Sequence, residues 1–376
     1  MKFVVSSLEL LEHLQSVSRV ISSKNTLPIL DNILFNLSDN TLELTASDLE
    51  STFITSMHLE NVTDGGSITI PAKILLDTLK EFPDQPLTFD INTDSYTVVI
   101  STESGQFTIM GQNASDFPQI PEIKDDEKNG FEVNSEVLLQ GIESSLFATA
   151  DDELRPVMNG IFLELSTNDV TFVASDAHKL VRYKRTDASA ESDASFILPK
   201  KPAALLKNIL PKEKGSVVLS FDSKNAFFQL ENYRLVCRLV EGNYPSYNSV
   251  IPTDNPNKVI IDRLKLLNTL KRVSVFSNQA SNLIKLQLSG NQITVSAQDI
   301  DFSISAYERI ACQYEGDEFE IGFKSTFLIE ILNNLPSTDV VIELSDPSRA
   351  GILLPLETEN EAEDILMLLM PMSVGS

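Results

Sequence analysis

The feature that most constrains this chain is an internal repeat. The stretches "LPILDNILFNLSDNTLELTASDLESTFITS" (27–56), "LRPVMNGIFLELSTNDVTFVASDAHKLVRY" (154–183) and "ASNLIKLQLSGNQITVSAQDIDFSISAY" (280–307) run alike: an alternating apolar strand, a polar turn, a second strand, then Asp and a third strand. Asp48, Asp176 and Asp299 are equivalent and stand about 125 residues apart, the period of a whole domain rather than of a solenoid repeat. The second halves at 71–121, 199–252 and 324–372 also match, each reading as a helix, a proline-marked stop, then strands. Apolar residues such as Leu264, Leu267 and Leu270 recur at helical spacing, whereas the strands alternate with period two. One domain is therefore two helix-plus-strands units, and polar connectors at 122–130 and 253–258 mark the joints. The expectation is an α+β chain of three similar domains, 1–124, 125–253 and 254–376, with six helices and six strand sets.

Within the second copy, "FVASDAHKLV" gathers Ser175, Asp176 and His178, the residue types of a nucleophilic triad. The Ser-Asp pair recurs as Ser47-Asp48, the third copy reads Gln298-Asp299, and the histidine position holds Glu50 and Asp301 in the other copies. A triad belongs to one place and is recognised by geometry rather than adjacency, whereas Asp in a strand-to-strand turn bonds its own backbone. The cluster reads as a turn, and no catalytic, cofactor-binding or metal-ligating residue is assigned. A Gly-x-Ser-x-Gly elbow, a P-loop and a metal-ligand cluster are all missing from the sequence. Cys237 and Cys312 lie in strand-like contexts without a CxxC motif and read as reduced, buried thiols. The start, "MKFVVSSLELLEHL", is interrupted by Ser6, Ser7, Glu9 and Glu12 before a signal-peptide core could form, and no apolar run approaches the roughly 20 residues of a membrane helix. A cytoplasmic protein with no membrane partner is expected.

A net charge of -25 counts against nucleic acid only if the charge is evenly spread. In "DRLKLLNTLKRV", Lys265, Asn268, Thr269 and Arg272 share one face by helical spacing, opposite the leucines. Lys73 and Lys80 do the same on a helix expected at 71–82, and Lys200 and Lys207 approximately so at 199–210. A basic face on one helix is ordinary solvated surface; its recurrence on equivalent helices suggests a shared anionic partner.

In order along the chain, "MKFVV", "TLPILDNILF", "LTASDLE", "MNGIFLEL", "ASDAHKL", "NYPSYNSVIP" and "LLMPM" resemble the bacterial β sliding clamps, the processivity subunits of replicative DNA polymerases. The resemblance covers essentially the full length. It implies a head-to-tail homodimer forming a six-domain ring, helices inside and sheets outside, that encircles double-stranded DNA without reading its sequence. It further implies a hydrophobic cleft where short peptides of the replicative polymerase, the clamp loader and other clamp-binding proteins dock. Matching positions for that cleft are Met158, Ser175, Ala177, His178, Lys179, Leu180, Pro245, Ser249, Val250, Ser348, Ala350, Leu368, Met370, Pro371 and Met372. Methionines suit promiscuous capture because they repack around different anchors, although Met370 and Met372 also read as core of a last strand. The candidates for the DNA channel are Lys24, Lys73, Lys80, Arg155, Lys201, Lys265 and Arg272, and those for the dimer joint are Phe107, Val275 and Phe276. The chain departs from the family's common Gly and Arg beside the histidine, carrying Ala177 and Lys179, and it runs on as Ser373-Val-Gly-Ser376. Two rival readings stand beside the clamp: a protein-interaction scaffold without DNA, and a hydrolase using Ser175, Asp176 and His178. A two-chain ring should run near twice the 41.6 kDa chain mass, which separates it from a monomeric scaffold.

Overall fold

The computed structural model describes residues 1–122 and 129–374. The first copy of the repeat comprises β1 (Lys2–Ser6), α1 (Ser7–Val17), β2 (Asn32–Ser38), β3 (Thr41–Ser47), β4 (Ser51–His58), β5 (Asn61–Asp64), β6 (Gly66–Pro71), α2 (Ala72–Lys80), β7 (Pro86–Asn92), β8 (Thr97–Ser101) and β9 (Gln106–Met110). The second comprises β10 (Asn129–Asn134), α3 (Ser135–Leu146), β11 (Gly160–Leu165), β12 (Val170–Ser175), β13 (Lys179–Arg185), β14 (Ala194–Pro199), α4 (Lys200–Ile209), β15 (Ser216–Phe221), β16 (Asn225–Gln229) and β17 (Tyr233–Arg238). The third comprises β18 (Asn257–Asp262), α5 (Arg263–Val273), β19 (Leu283–Ser289), β20 (Gln292–Asp299), β21 (Ile304–Ala311), β22 (Gln313–Tyr314), β23 (Phe319–Lys324), α6 (Ser325–Asn334), β24 (Asp339–Leu344), β25 (Gly351–Pro355) and β26 (Glu363–Leu369). The six expected helices are present among the described residues, two per copy.

The strands pair antiparallel, and the halves of each copy exchange their opening strands. In the first copy β1 joins β7, β8 and β9, while β6 joins β2, β3 and β4. The second copy repeats this as β10-β15-β16-β17 and β14-β11-β12-β13, and the third as β18-β24-β25-β26 and β23-β19-β20-β21. Six four-strand sets result, as the sequence predicts. Copies are joined by sheet continuation, β4 pairing β17 through Tyr233↔Thr55 to Cys237↔Ser51 and β13 pairing β26 through Lys179↔Leu369 to Arg185↔Glu363. The corresponding strands β21 and β9 are sheet edges among the described residues.

The described residues fall into two compact units, Met1–Glu136 with Ala204–Leu239, and Val137–Ala203 with Val240–Ser376. Each unit contains one of the joined sheets whole. In the first, α1 buries Leu10, Leu14 and Val17, and its N-terminus is capped by Ser6, whose Oγ accepts from the Glu9 amide. Strand β2 alternates with Ile33, Phe35 and Leu37 buried, as a sheet with one covered face requires. In the second unit, α5 is capped by Asp262 and buries Leu266, Leu267, Leu270 and Val273. Two expectations for α5 need correction. Leu264 is exposed, because one turn into the helix it has rotated off the covered face, and Thr269 is buried, because its hydroxyl is taken up by Glu308. The helices expected at 71–82 and 199–210 are shorter, Ala72–Lys80 and Lys200–Ile209, each stopping before its proline-marked turn. Both cysteines are free and buried; Cys237 lies in β17, where burial pushes its thiol up to about 12, while Cys312 lies between β21 and β22. The expected joint at 124/125 and the end of the tail at Gly375 and Ser376 lie outside the described residues.

Candidate functional site

The turn after β12 answers the triad question. The Ser175 Oγ donates to the Lys179 carbonyl at 2.8 Å, and Asp176 Oδ1 accepts from the amides of His178 and Lys179 at 2.9 Å each. In the first copy Ser47 bonds the Ser51 carbonyl and Asp48 Oδ1 accepts from Glu50 and Ser51. In the third, Asp299 Oδ1 accepts from Asp301 and Phe302. Three aspartates thus perform one structural task, closing a strand-to-strand turn. The His178 ring stacks instead on Phe327 of α6, centroids 5.6 Å apart. Ala177 holds φ +73° and its counterpart Leu49 φ +77°, a left-handed conformation in which a Cβ is strained.

Lys179 follows the turn and is buried, its ammonium 2.7 Å from Asp176 and 3.0 Å from Glu330, and over the face of Phe327. Burial pushes the Asp176 carboxyl up, but the Lys179 ammonium and two backbone amides outweigh it and hold the group below the usual carboxylate range. Asp176 and Lys179 also line a polar cavity of about 370 Å³ with Asp151, Asp152, Arg155, Lys200 and Glu330. Its charges are paired locally, Arg155 with Asp152 at 2.8 Å and Lys200 with Asp151 at 2.6 Å.

On the β13·β26 seam, Leu180 lies opposite Leu368, which lies opposite Ile352 of β25. These three, with Val173, Tyr247, Ala350 and Leu366, form an apolar cluster flanked by Phe162, Tyr244, Ile251 and Leu354. Strand β11 straps the segment 244–250 onto it. Phe162 stacks on Tyr244 at 4.8 Å, and Glu164, on the same strand face, accepts from the Tyr247 hydroxyl. Around this floor, Pro245, Ser249, Val250 and Ser348 are exposed. Beyond β26, the Met370 amide donates to the His178 carbonyl at 2.8 Å and the Met372 amide to the Gly322 carbonyl at 2.8 Å. Met370 is 41% exposed and Met372 and Pro371 are half-buried, so neither methionine is core and neither belongs to the last strand. Leu180, Ala350 and Leu368 thus meet in the cluster, while Met158 is buried ahead of β11. Tyr244 and Tyr247, within the "NYPSYNSVIP" motif, went unassigned from sequence, as did Phe327. Only the fold carries Phe327 to the histidine, so no local signal marked it.

The cations expected to meet DNA are mostly engaged. Arg272 makes a two-pronged contact with Glu308 at 2.6 and 2.7 Å, holding that carboxyl below its usual range. Lys80 lies 3.6 Å from Asp77 and Lys265 3.8 Å from Asp262, both solvent-exposed pairs of little strength. Lys201 is half-buried, while Lys24 and Lys73 are exposed with no ion pair among the described residues. Of the joint candidates, Phe107 lies on edge strand β9 against Phe82, and Val275 and Phe276 follow α5, all three exposed.

Three family models match this chain in order: the N-terminal, central and C-terminal domains of the DNA polymerase III beta subunit, over residues 1–121, 132–246 and 248–373. The chain belongs to the DNA polymerase III beta subunit family. Among curated relatives, the beta sliding clamp of Synechococcus elongatus is 31% identical over the full length of both chains, and that of Pseudomonas putida 30% identical over 99% of this chain and all of its own. Among solved structures, the sliding clamp of Pseudomonas aeruginosa bound to griselimycin superposes with a TM-score of 0.93 at 27% identity, covering both chains fully. The beta subunit of Thermotoga maritima superposes at 0.90 with 25% identity, again over both chains. Sliding clamps of this family are non-catalytic, which agrees with the Ser175–Asp176 turn, and the chain is a clamp rather than an enzyme. Among the described residues no helix is long and apolar enough to cross a membrane.

Proposed function

We propose that two copies of this chain join head to tail into a ring of six domains around duplex DNA, in the cytoplasm, and tether the replicative polymerase, the clamp loader and other proteins through peptides seated on the β13·β26 seam. The domains of this reading are 1–124, 125–253 and 254–376. The observation that carries it is the series of seams. Strand β4 is closed by β17 and β13 by β26, whereas their counterparts β21 and β9 are edges. Pairing β21 of one chain with β9 of a second completes the series and satisfies two open strand edges; a head-to-tail contact of this kind closes into a ring when its rotation permits. The exposed apolar side chains of Phe107, Val275, Phe276, Ile304 and Tyr307 support such a joint.

Retention on DNA is then topological. Cations held by carboxylates, such as Arg272 by Glu308, bind phosphate weakly, and weak phosphate contact suits a ring that must slide. Peptides take the apolar floor of Leu180, Leu368 and Ile352, with Met370, Met372 and His178 at its border. The test is to load the protein on circular and on linear duplex of equal length and follow its loss. Retention on the circle with rapid loss from free ends is expected; equal loss from both overturns the ring.

A further inference from the structure

Resting on the peptide reading of the β13·β26 seam, we infer that the site prefers peptides carrying an acidic side chain beside their apolar anchors, and that Lys324 is the residue that selects them. Two lysines approach the Phe327 ring. Lys179, at 4.5 Å from the centroid, is buried and already neutralised by Asp176 and Glu330. Lys324, at 4.6 Å, is half-buried and has no ion pair among the described residues. The ring holds this ammonium in place by cation–π attraction while leaving its charge unspent.

Its position faces the docking border. Lys324 ends β23 two residues after Gly322, so both lie on one face of the strand, and Gly322 pairs with Met372. A Cβ added at Gly322 would meet the Met372 carbonyl and the Val374 side chain, so the 372–374 segment runs across the face that Lys324 shares. The other side of Phe327 carries His178, whose carbonyl holds Met370. Lys324 is also the residue preceding α6, whose first turn has no acidic residue and no side-chain cap, so the helix dipole adds to its positive field. A chain of net charge -25 repels acidic peptides at long range, so any preference for them must come from a local cation of this kind.

The experiment uses the full-length protein and synthetic peptides sharing leucine and phenylalanine anchors, with an aspartate moved through the remaining positions and an asparagine version of each. At one position the aspartate peptide should bind wild type about threefold to fivefold more tightly than its asparagine partner, an advantage that shrinks with salt. Lys324→Gln should bring that ratio to about one and Lys324→Glu should reverse it, with asparagine-peptide affinity kept. Because the Lys324 side chain caps no helix amide, both variants should melt like wild type. If the asparagine peptides bind but aspartate gives no advantage, or the advantage survives Lys324→Gln, the inference is overturned. If no anchored peptide binds the folded wild type, the peptide reading falls, and this inference with it.

Discussion

At the seam of β4 with β17 the Arg238 amide donates to the Glu50 carbonyl at 2.8 Å, and at the seam of β13 with β26 the Met370 amide donates to the His178 carbonyl at the same distance. The turns match as well, Ser47-Asp48 against Ser175-Asp176. Registers coincide residue for residue, so Leu180, Leu368 and Ile352 of one seam correspond to Thr52, Val236 and Phe227 of the other. Where the second seam displays His178 and Met370, the first displays Glu50 and Arg238. The Thr52 hydroxyl is engaged by Ser47. One backbone joint therefore serves as a plain connector in one place and carries an apolar platform in another, and side chains alone make the difference.

The third member of the series gives the largest effect. Replacing Val275 and Phe276 together by aspartate should leave a folded monomer, because an unpaired charge in a subunit joint costs several kcal/mol. Sedimentation at micromolar concentration decides, and a variant that stays fully dimeric breaks the extension of the seam series beyond one chain. Next, Met370→Ala with Met372→Ala should weaken anchored-peptide binding about tenfold, from lost apolar contact, and leave DNA retention intact. Arg238→Ala at the matching place should leave peptide affinity unchanged; if it weakens binding equally, the two seams do not differ in the way described.

The turns sharpen the comparison through pH. Asp176 has a folded pKa below its unfolded value, so its contribution is present above the unfolded pKa of about 3.9 and is lost as pH falls through the folded value. Asp176→Asn should cost about 1 kcal/mol in denaturant melts at pH 7, and the gap to wild type should close in strong acid. A gap that persists there assigns the loss to packing instead of charge. The smallest effect belongs to Ala177→Gly and Leu49→Gly, each of which should gain about 0.5 kcal/mol, since relief of a left-handed Cβ is partly offset by the freer unfolded chain. Calorimetry resolves it as a small rise in melting temperature at both sites; a fall at either would show that its side chain contributes more than its backbone loses.

The sequence by itself determined the threefold period, the division of each copy into two helix-plus-strands halves, and the structural role of Asp48, Asp176 and Asp299. Those rest on local physics, for periodicity follows from which face of an element is buried, and an aspartate closes a turn with amides two and three residues on. It also carried the family, through motifs scattered over the whole length. The tertiary structure alone decided which halves trade strands, that Lys179 is buried between Asp176 and Glu330 while Lys324 is not, and that Glu308 occupies Arg272. It alone brought Phe327 against His178 and took Met370 and Met372 out of the core. Each of these depends on a partner far away in the chain, and a charge or an apolar side chain has no fixed role until the fold supplies that partner.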